Sequence, residues 1–322
     1  MKIFITRNIP DRGIKLLQER GHEVTVSSED RVLTKEELIA KLKAGGYDAV
    51  LCLLTDKIDA DVMDAAGKQV KIFANYAVGF DNVDIKAAAE RAIFVTNTPG
   101  VLTNSVAEFA FALILAIAHR IPEADRFSRA GKYQGWEPEL LLGQEISGKT
   151  LGIVGLGRIG SRVAFHARGF EMPTLYYDVV RNEAFEKESG AVFSANVDDV
   201  LREADIVSIH VPLLPTTKHL INAERLALMK PTAYLVNTSR GPVVDEAALL
   251  DALRAKRIRG AALDVWEFEP KLTPGLTELD TVILTPHIAS ATDQARQEMS
   301  RIAAENIIAA LEGKTPPNIV KG

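Results

Sequence analysis

What most limits the folds open to this chain is a recurring alternation of a short apolar run with an amphipathic stretch. The runs are Lys2–Thr6, Glu23–Val26, Ala49–Leu53, Ile72–Asn75 and Phe94–Thr96 in the N-terminal part. Further on come Thr150–Val154, Thr174–Tyr177, Ile206–Val211, Ala233–Asn237, Ala261–Val265 and Thr281–Leu284. Segments this short, apolar and without strict alternation read as strands buried on both faces. Strands separated by helices build parallel sheets with helices on both sides. One of the intervening stretches opens with the capping box Thr34-Lys35-Glu36-Glu37. The expected fold class is therefore α/β, with doubly wound parallel sheets.

The chain has 322 residues, more than one typical core accommodates, so two domains are expected. An apolar helix, Val106–Arg120, follows Pro99-Gly100, a natural hinge. A loop-like segment with Gly131, Gly135, Trp136, Pro138 and Gly143 leads to the second series, whose six strands suit a doubly wound sheet. The final helix, Ala291–Leu311, precedes Pro316-Pro317 and has no strand of its own to cover, so it is expected to pack back on the N-terminal domain.

A formal net charge of −5 argues against a nucleic-acid partner, which needs a basic footprint. Cys52 is the only cysteine, so no internal disulfide forms, and no pattern resembles a zinc site. The most apolar stretch, Phe109–Ala118, is about half of what a membrane span requires. Met1–Thr6 enters a strand without a signal-peptide pattern. The expectation is a cytoplasmic protein that needs neither membrane nor metal.

Gly155-Leu156-Gly157-Arg158-Ile159-Gly160 follows a strand and opens a helix running to about Arg168. In that setting the first glycine allows the tight turn, the second lets backbone approach a pyrophosphate, and the third permits close helix–strand contact. The helix N-terminus adds unpaired N–H groups. Asp178 lies 18 residues beyond Gly160, at the end of the next strand, where a carboxylate can accept from ribose hydroxyls. The same glycines without that context would mean only a turn.

Three further residues follow strand exits: Arg240, Glu269 and His287. Ligands of open parallel sheets bind beyond the carboxyl ends of the strands. A guanidinium offers a planar fork for a carboxylate, and a histidine moves protons near neutral pH. Arg240 could equally serve an ordinary salt bridge. A carboxylate beside the histidine would orient its ring, but spacing alone does not choose between Glu269 and Glu267. Of the other histidines, His22, His119, His166 and His219 read as surface or packing residues, and His210 as a strand residue at the core or rim.

These segments carry a resemblance. Val154–Gly160, His210-Val211-Pro212-Leu213, Asn237–Gly241, Ala262–Val265 through Glu269-Pro270, and Thr285-Pro286-His287-Ile288 are similar to the D-isomer-specific 2-hydroxyacid dehydrogenases, over essentially the whole chain and in the family order. Asn75–Asn82 and Thr96–Thr103 most resemble glyoxylate/hydroxypyruvate reductases.

The resemblance implies two Rossmann-like domains with a cleft between them. One is a discontinuous, flavodoxin-like substrate domain, 1–98 plus 290–322; the other is the dinucleotide domain, 99–289. It implies Arg240 on the substrate carboxylate, Glu269 on the histidine, and His287 as proton donor to a small 2-oxo acid, or acceptor from the 2-hydroxy acid. It places Asp264 near the nicotinamide carboxamide and dinucleotide contacts on Arg158, Ile159, Thr217, Thr238 and Ser239. Substrate contacts fall on Leu53, Val78, Gly79 and Ser290, with Trp136 contributed across a homodimer.

NADPH-preferring relatives have a small polar residue followed by arginine where this chain has Asp178-Val179, so NAD is favoured over NADP. Arg181 is the complication, being placed to reach a 2′-phosphate. Sister enzymes acting on D-lactate, phosphoglycerate or phosphite are rivals, as is a NAD-sensing corepressor-like protein.

Overall fold

The computed structural model describes residues 1–320. The chain divides into two compact units, one of Met1–Leu102 with the segment from Ala291, the other of Thr103–Ser290.

The first unit contains β1 (Lys2–Ile5), α1 (Asp11–Glu19), β2 (Glu23–Val26), α2 (Lys35–Gly45), β3 (Ala49–Leu53), α3 (Ala60–Ala66), β4 (Ile72–Tyr76), α4 (Ile85–Glu90) and β5 (Phe94–Thr96). The strands pair in the order β2-β1-β3-β4-β5, all parallel. Phe4, Val50, Cys52 and Phe73 fill one side of the sheet with residues of α2, α3 and α4. The capping box forms as written: Thr34 accepts from the Glu37 N–H and Glu37 from the Thr34 N–H.

The second unit contains α5 (Thr103–Ala118), α6 (Ile121–Arg129), β6 (Leu151–Val154), α7 (Arg158–Ala167), β7 (Thr174–Tyr177), α8 (Glu183–Ser189), β8 (Val192–Ser194), α9 (Val197–Glu203), β9 (Ile206–Ile209), α10 (Ala223–Leu226), β10 (Tyr234–Asn237), α11 (Glu246–Arg254), β11 (Gly260–Leu263) and β12 (Val282–Leu284). Its sheet runs β12-β11-β10-β9-β6-β7-β8, again parallel throughout. The order reverses between β6 and β9, and this switch point is where such sheets open a crevice for ligands.

The chain then returns to the first unit as α12 (Asp293–Leu311). This helix packs on α1, β3 and β4, as its lack of a strand partner suggested. Side chains tie it in: Ser300 Oγ donates to Pro10 O at 2.6 Å, and Tyr76 OH to Arg296 O at 2.7 Å.

Three details depart from expectation. The second sheet has a seventh strand, β8, an edge strand of three residues with Val192 exposed, too short and too little buried to read as one of the apolar runs. The apolar helix ends at Ala118, because Arg120 adopts a left-handed conformation (φ 55°) and α6 starts anew, bent by 62° from α5. The strand before His210 closes at Ile209, so His210 stands at its exit rather than within it. Among the described residues no single helix is long and apolar enough to cross a membrane.

Candidate active site

The turn from β6 into α7 is built for a close approach to its backbone. Gly155 has φ 98°, and a Cβ there would lie 2.8 Å from the Val211 nitrogen. A Cβ on Gly160 would collide with the Gly155 carbonyl oxygen, whereas at Gly157 nothing stands within 4 Å. The first and third glycines are thus fixed by packing, and the second leaves space above the turn. Gly157 caps α7 without any side-chain hydrogen bond, so the first N–H groups of the helix face that space.

Asp178 follows β7 and accepts from the Leu156 N–H at 2.7 Å through one oxygen. Its other oxygen is only 3.4 Å from the Val180 nitrogen, a weak contact that leaves it able to accept from sugar hydroxyls. Thr238 Oγ1, beyond β10, is buried with no partner. An orphaned hydroxyl, an uncapped helix start and an open glycine together fit a bound dinucleotide. Arg158 is exposed and Ile159 half-buried. The Thr217 hydroxyl is taken up by its own loop, donating to Pro212 O at 2.6 Å and accepting from Leu214 N at 2.8 Å.

Arg181, which sequence placed within reach of a phosphate, is held elsewhere. Its guanidinium grips Glu186 at 2.9 and 2.8 Å. Glu186 also accepts from Tyr176 OH at 2.8 Å. These contacts hold the Glu186 carboxyl below its usual pKa, the Arg181 bond being the largest cause.

Beyond β10, β11 and β12 three loops carry the remaining residues. Asn237, buried at the end of β10, organises the first: its amide donates to Arg240 O at 3.0 Å and its oxygen accepts from Ser239 N and Oγ. The Arg240 guanidinium donates to Ser239 O at 2.8 Å. Gly241 lies so close to the Trp266 carbonyl that no Cβ would fit, which presses this loop against the next.

On that second loop Glu269 accepts from Trp266 N at 2.9 Å through Oε1, and its Oε2 lies 3.0 Å from His287 Nδ1. Glu267 turns away to His219 Nε2 at 2.6 Å. The choice that spacing left open is thus settled by geometry: Glu269 is the carboxylate on His287. Burial alone would raise the Glu269 pKa, but the His287 bond and charge, the Trp266 N–H and the Arg240 charge together hold it below the usual range.

His287 itself has φ 54°, uncommon for a side chain of its size. Its N–H donates to Asp264 O at 2.8 Å. The Asp264 carboxylate, just past β11 and almost fully buried, accepts from Thr285 Oγ1, Ile288 N and Ala289 N at 2.7, 2.9 and 2.8 Å. Burial pushes the Asp264 pKa up and these donors offset it. In the structure Asp264 pins the His287 loop. Ser290 ends this loop. His210 Nε2 is 2.9 Å from Ser208 Oγ, and burial of the ring pushes its pKa down to about 3.

Leu53, Val78 and Gly79 belong to the other unit. After β4, Asn97 and Asn75 donate to the Val78 and Gly79 carbonyls at 2.7 and 2.9 Å. The N–H groups of Val78 and Gly79 meet no acceptor among the described residues. Leu53 ends β3, its N–H held by the buried Asp56 at 2.8 Å and its carbonyl by Asn82 at 3.0 Å. Sequence reasoning gave no role to Asn75, Asp56 and Asn82; short polar residues at the end of β4 and in the loops after β3 and β4 were the available signal. Trp136 is 82% exposed.

Residues 111–289 match the family described as D-isomer specific 2-hydroxyacid dehydrogenase, NAD binding domain. A glyoxylate reductase of Thermofilum pendens is 51% identical, covering 99% of this chain and 94% of its own. A crystal structure of a Thermus thermophilus protein superposes with a TM-score of 0.93 at 44% identity, over all of both chains. An NADPH-dependent glyoxylate/hydroxypyruvate reductase of Sinorhizobium meliloti, in complex with NADP and malonate, gives 0.86 at 31%, covering 99% of this chain and 96% of that one. A glycine turn fitted to a dinucleotide, followed along one sheet by loops that hold a carboxylate on an imidazole, agrees with these matches. The chain belongs to the D-isomer-specific 2-hydroxyacid dehydrogenase family and is an NAD(P)-dependent oxidoreductase.

Proposed function

We propose that this protein reduces glyoxylate, and with it hydroxypyruvate, to the 2-hydroxy acid, using NADH in preference to NADPH. The observation that carries the reading is the 3.0 Å contact between His287 Nδ1 and Glu269, in a chain 51% identical to a glyoxylate reductase. With Nδ1 on the carboxylate, Nε2 is the nitrogen left to exchange a proton with substrate. The 155–160 turn, Asp178 and Thr238 would hold a nicotinamide cofactor, which would supply the hydride.

Arg240 takes the substrate carboxylate in a bidentate grip, and the fork orients the adjacent carbonyl. His287 gives its proton to the carbonyl oxygen, so full alkoxide charge never develops, and Glu269 stabilises the imidazolium. In the other unit the unbonded Val78 and Gly79 N–H groups suit a carboxylate oxygen, and Leu53 supplies apolar lining.

The reading includes a cytoplasmic homodimer. The buried thiol of Cys52, the single cysteine, is consistent with a reducing compartment.

The test is NADH oxidation with glyoxylate, hydroxypyruvate, pyruvate and phenylpyruvate. The first two should give the highest kcat/KM. A preference for phenylpyruvate or pyruvate would overturn the substrate assignment, and no turnover of any of them would overturn the reductase reading.

A further inference from the structure

Between the Arg240 loop and the Glu269 loop lies a second carboxylate pair that the proposed chemistry does not use. Glu246 opens α11 and is 1% exposed. Its Oε1 accepts from the Glu267 N–H at 2.6 Å and its Oε2 from the Thr273 hydroxyl at 2.6 Å. Glu267 returns the contact, its Oε2 accepting from the Glu246 N–H at 3.2 Å while its Oε1 meets His219 Nε2 at 2.6 Å. His219 Nδ1 is in turn 4.0 Å from Asp245.

A carboxylate this buried is costly unless its oxygens are satisfied, and here both are spent on one segment. They grip it at Glu267 and at Thr273, and Glu269 stands between those two points. None of these contacts is made to Arg240, Glu269 or His287; the network places the segment that carries the His287 partner.

We infer that Glu246 is a positioning residue for proton transfer: it clamps 267–273 against the helix that follows Arg240, and so keeps Glu269 on Nδ1 of His287. The inference rests on the proton-transfer role proposed above for that pair. Glu246→Ala leaves the Glu267 N–H buried without a partner and frees the segment at both grips. Glutamine restores them, its oxygen accepting from the Glu267 N–H and its amide donating to Thr273 Oγ1.

The experiment compares steady-state rates and pH profiles of Glu246→Ala, Glu246→Gln, Glu269→Gln and the double variant Glu246→Ala/Glu269→Gln. Glu246→Ala should lose about tenfold or more in kcat, a loss of the size seen for a misplaced catalytic group, and leave KM for NADH unchanged. The alkaline limb of its reduction profile, set by loss of the His287 proton, should move to lower pH, in the same direction as that of Glu269→Gln. Glu246→Gln should keep most of the rate. The double variant should be no slower than Glu269→Gln, because a clamp has nothing to place once the carboxylate is gone.

An unshifted profile in Glu246→Ala, or losses that multiply in the double variant, would overturn the inference while leaving the proton-transfer reading intact. If Glu269→Gln itself keeps the native rate and profile, both fall together. Should Glu246→Ala fail to fold, Thr273→Val removes one grip only and should move the alkaline limb the same way by less; no movement there counts against the inference.

Discussion

His287 is fixed at two points, its ring by Glu269 on Nδ1 and its backbone N–H by Asp264 O, so its variants should separate chemistry from binding. His287→Ala removes the acid: kcat should fall by about 10²–10⁴-fold while cofactor affinity, read by fluorescence titration, is kept. Arg240→Lys keeps the charge and loses the fork, and should act mainly by raising KM for the oxo acid. In Glu269→Gln the imidazolium loses its partner, so the alkaline limb of kcat/KM for reduction should move to lower pH. The Glu269 carboxyl is held below its usual range, so its ionised contacts stabilise the fold above the ordinary carboxylate pKa. That contribution is lost as pH falls through the depressed value. Cofactor choice is also set by single residues. On the proposed reading the Asp178 carboxylate would meet a 2′-phosphate as a like charge, and Arg181, which could attract it, is held by Glu186. NADH should therefore be preferred, and Asp178→Ser with Val179→Arg should invert the preference through KM for the cofactor. A native enzyme with the higher kcat/KM on NADPH would contradict this.

Among the elements, those buried on both faces were legible and those whose meaning depends on distant chain were not. Strands such as Ile72–Tyr76 and Tyr234–Asn237 are apolar at nearly every position because helices cover both faces. The edge strand Val192–Ser194, three residues long and not buried on either face, and the helix Ile121–Arg129, which buries no residue, went unread. At the site, the glycine turn and the strand exits marked where chemistry could sit. The pairing of His219 with Glu267 joins residues 48 apart, and that of Glu246 with Glu267 residues 21 apart; only the folded sheet brings these together. Asp264 shows the same limit, since its three donors lie beyond the next strand. This loop makes a prediction at its own scale. Asp264→Asn turns one accepting oxygen into an NH2 group facing an N–H or a hydroxyl, and should cost about 1–3 kcal/mol. The measurements are a lowered Tm and a fall in kcat larger than any change in KM for NADH.

At the scale of the whole molecule the question is what covers the exposed apolar side chains between α6 and β6. Tyr133, Trp136 and Leu142 are all exposed there, Trp136 the most. Large apolar side chains gathered on one surface segment mark an interaction site, and tryptophan and tyrosine are the residues that most often anchor one. The segment is not periodic and carries Gly131, Gly135, Pro138 and Gly143, so it has no helix face or strand edge to bury within its own unit. A second copy of the chain is the occupant that the reductase reading supplies, with Trp136 reaching the substrate pocket of its neighbour. Trp136→Ala should then weaken discrimination among glyoxylate, hydroxypyruvate and bulkier oxo acids by more than it changes KM for NADH. Sedimentation of the native protein should show a dimer at assay concentrations. A native protein that sediments as a monomer and is fully active would rule out any role of this tryptophan in a neighbouring subunit.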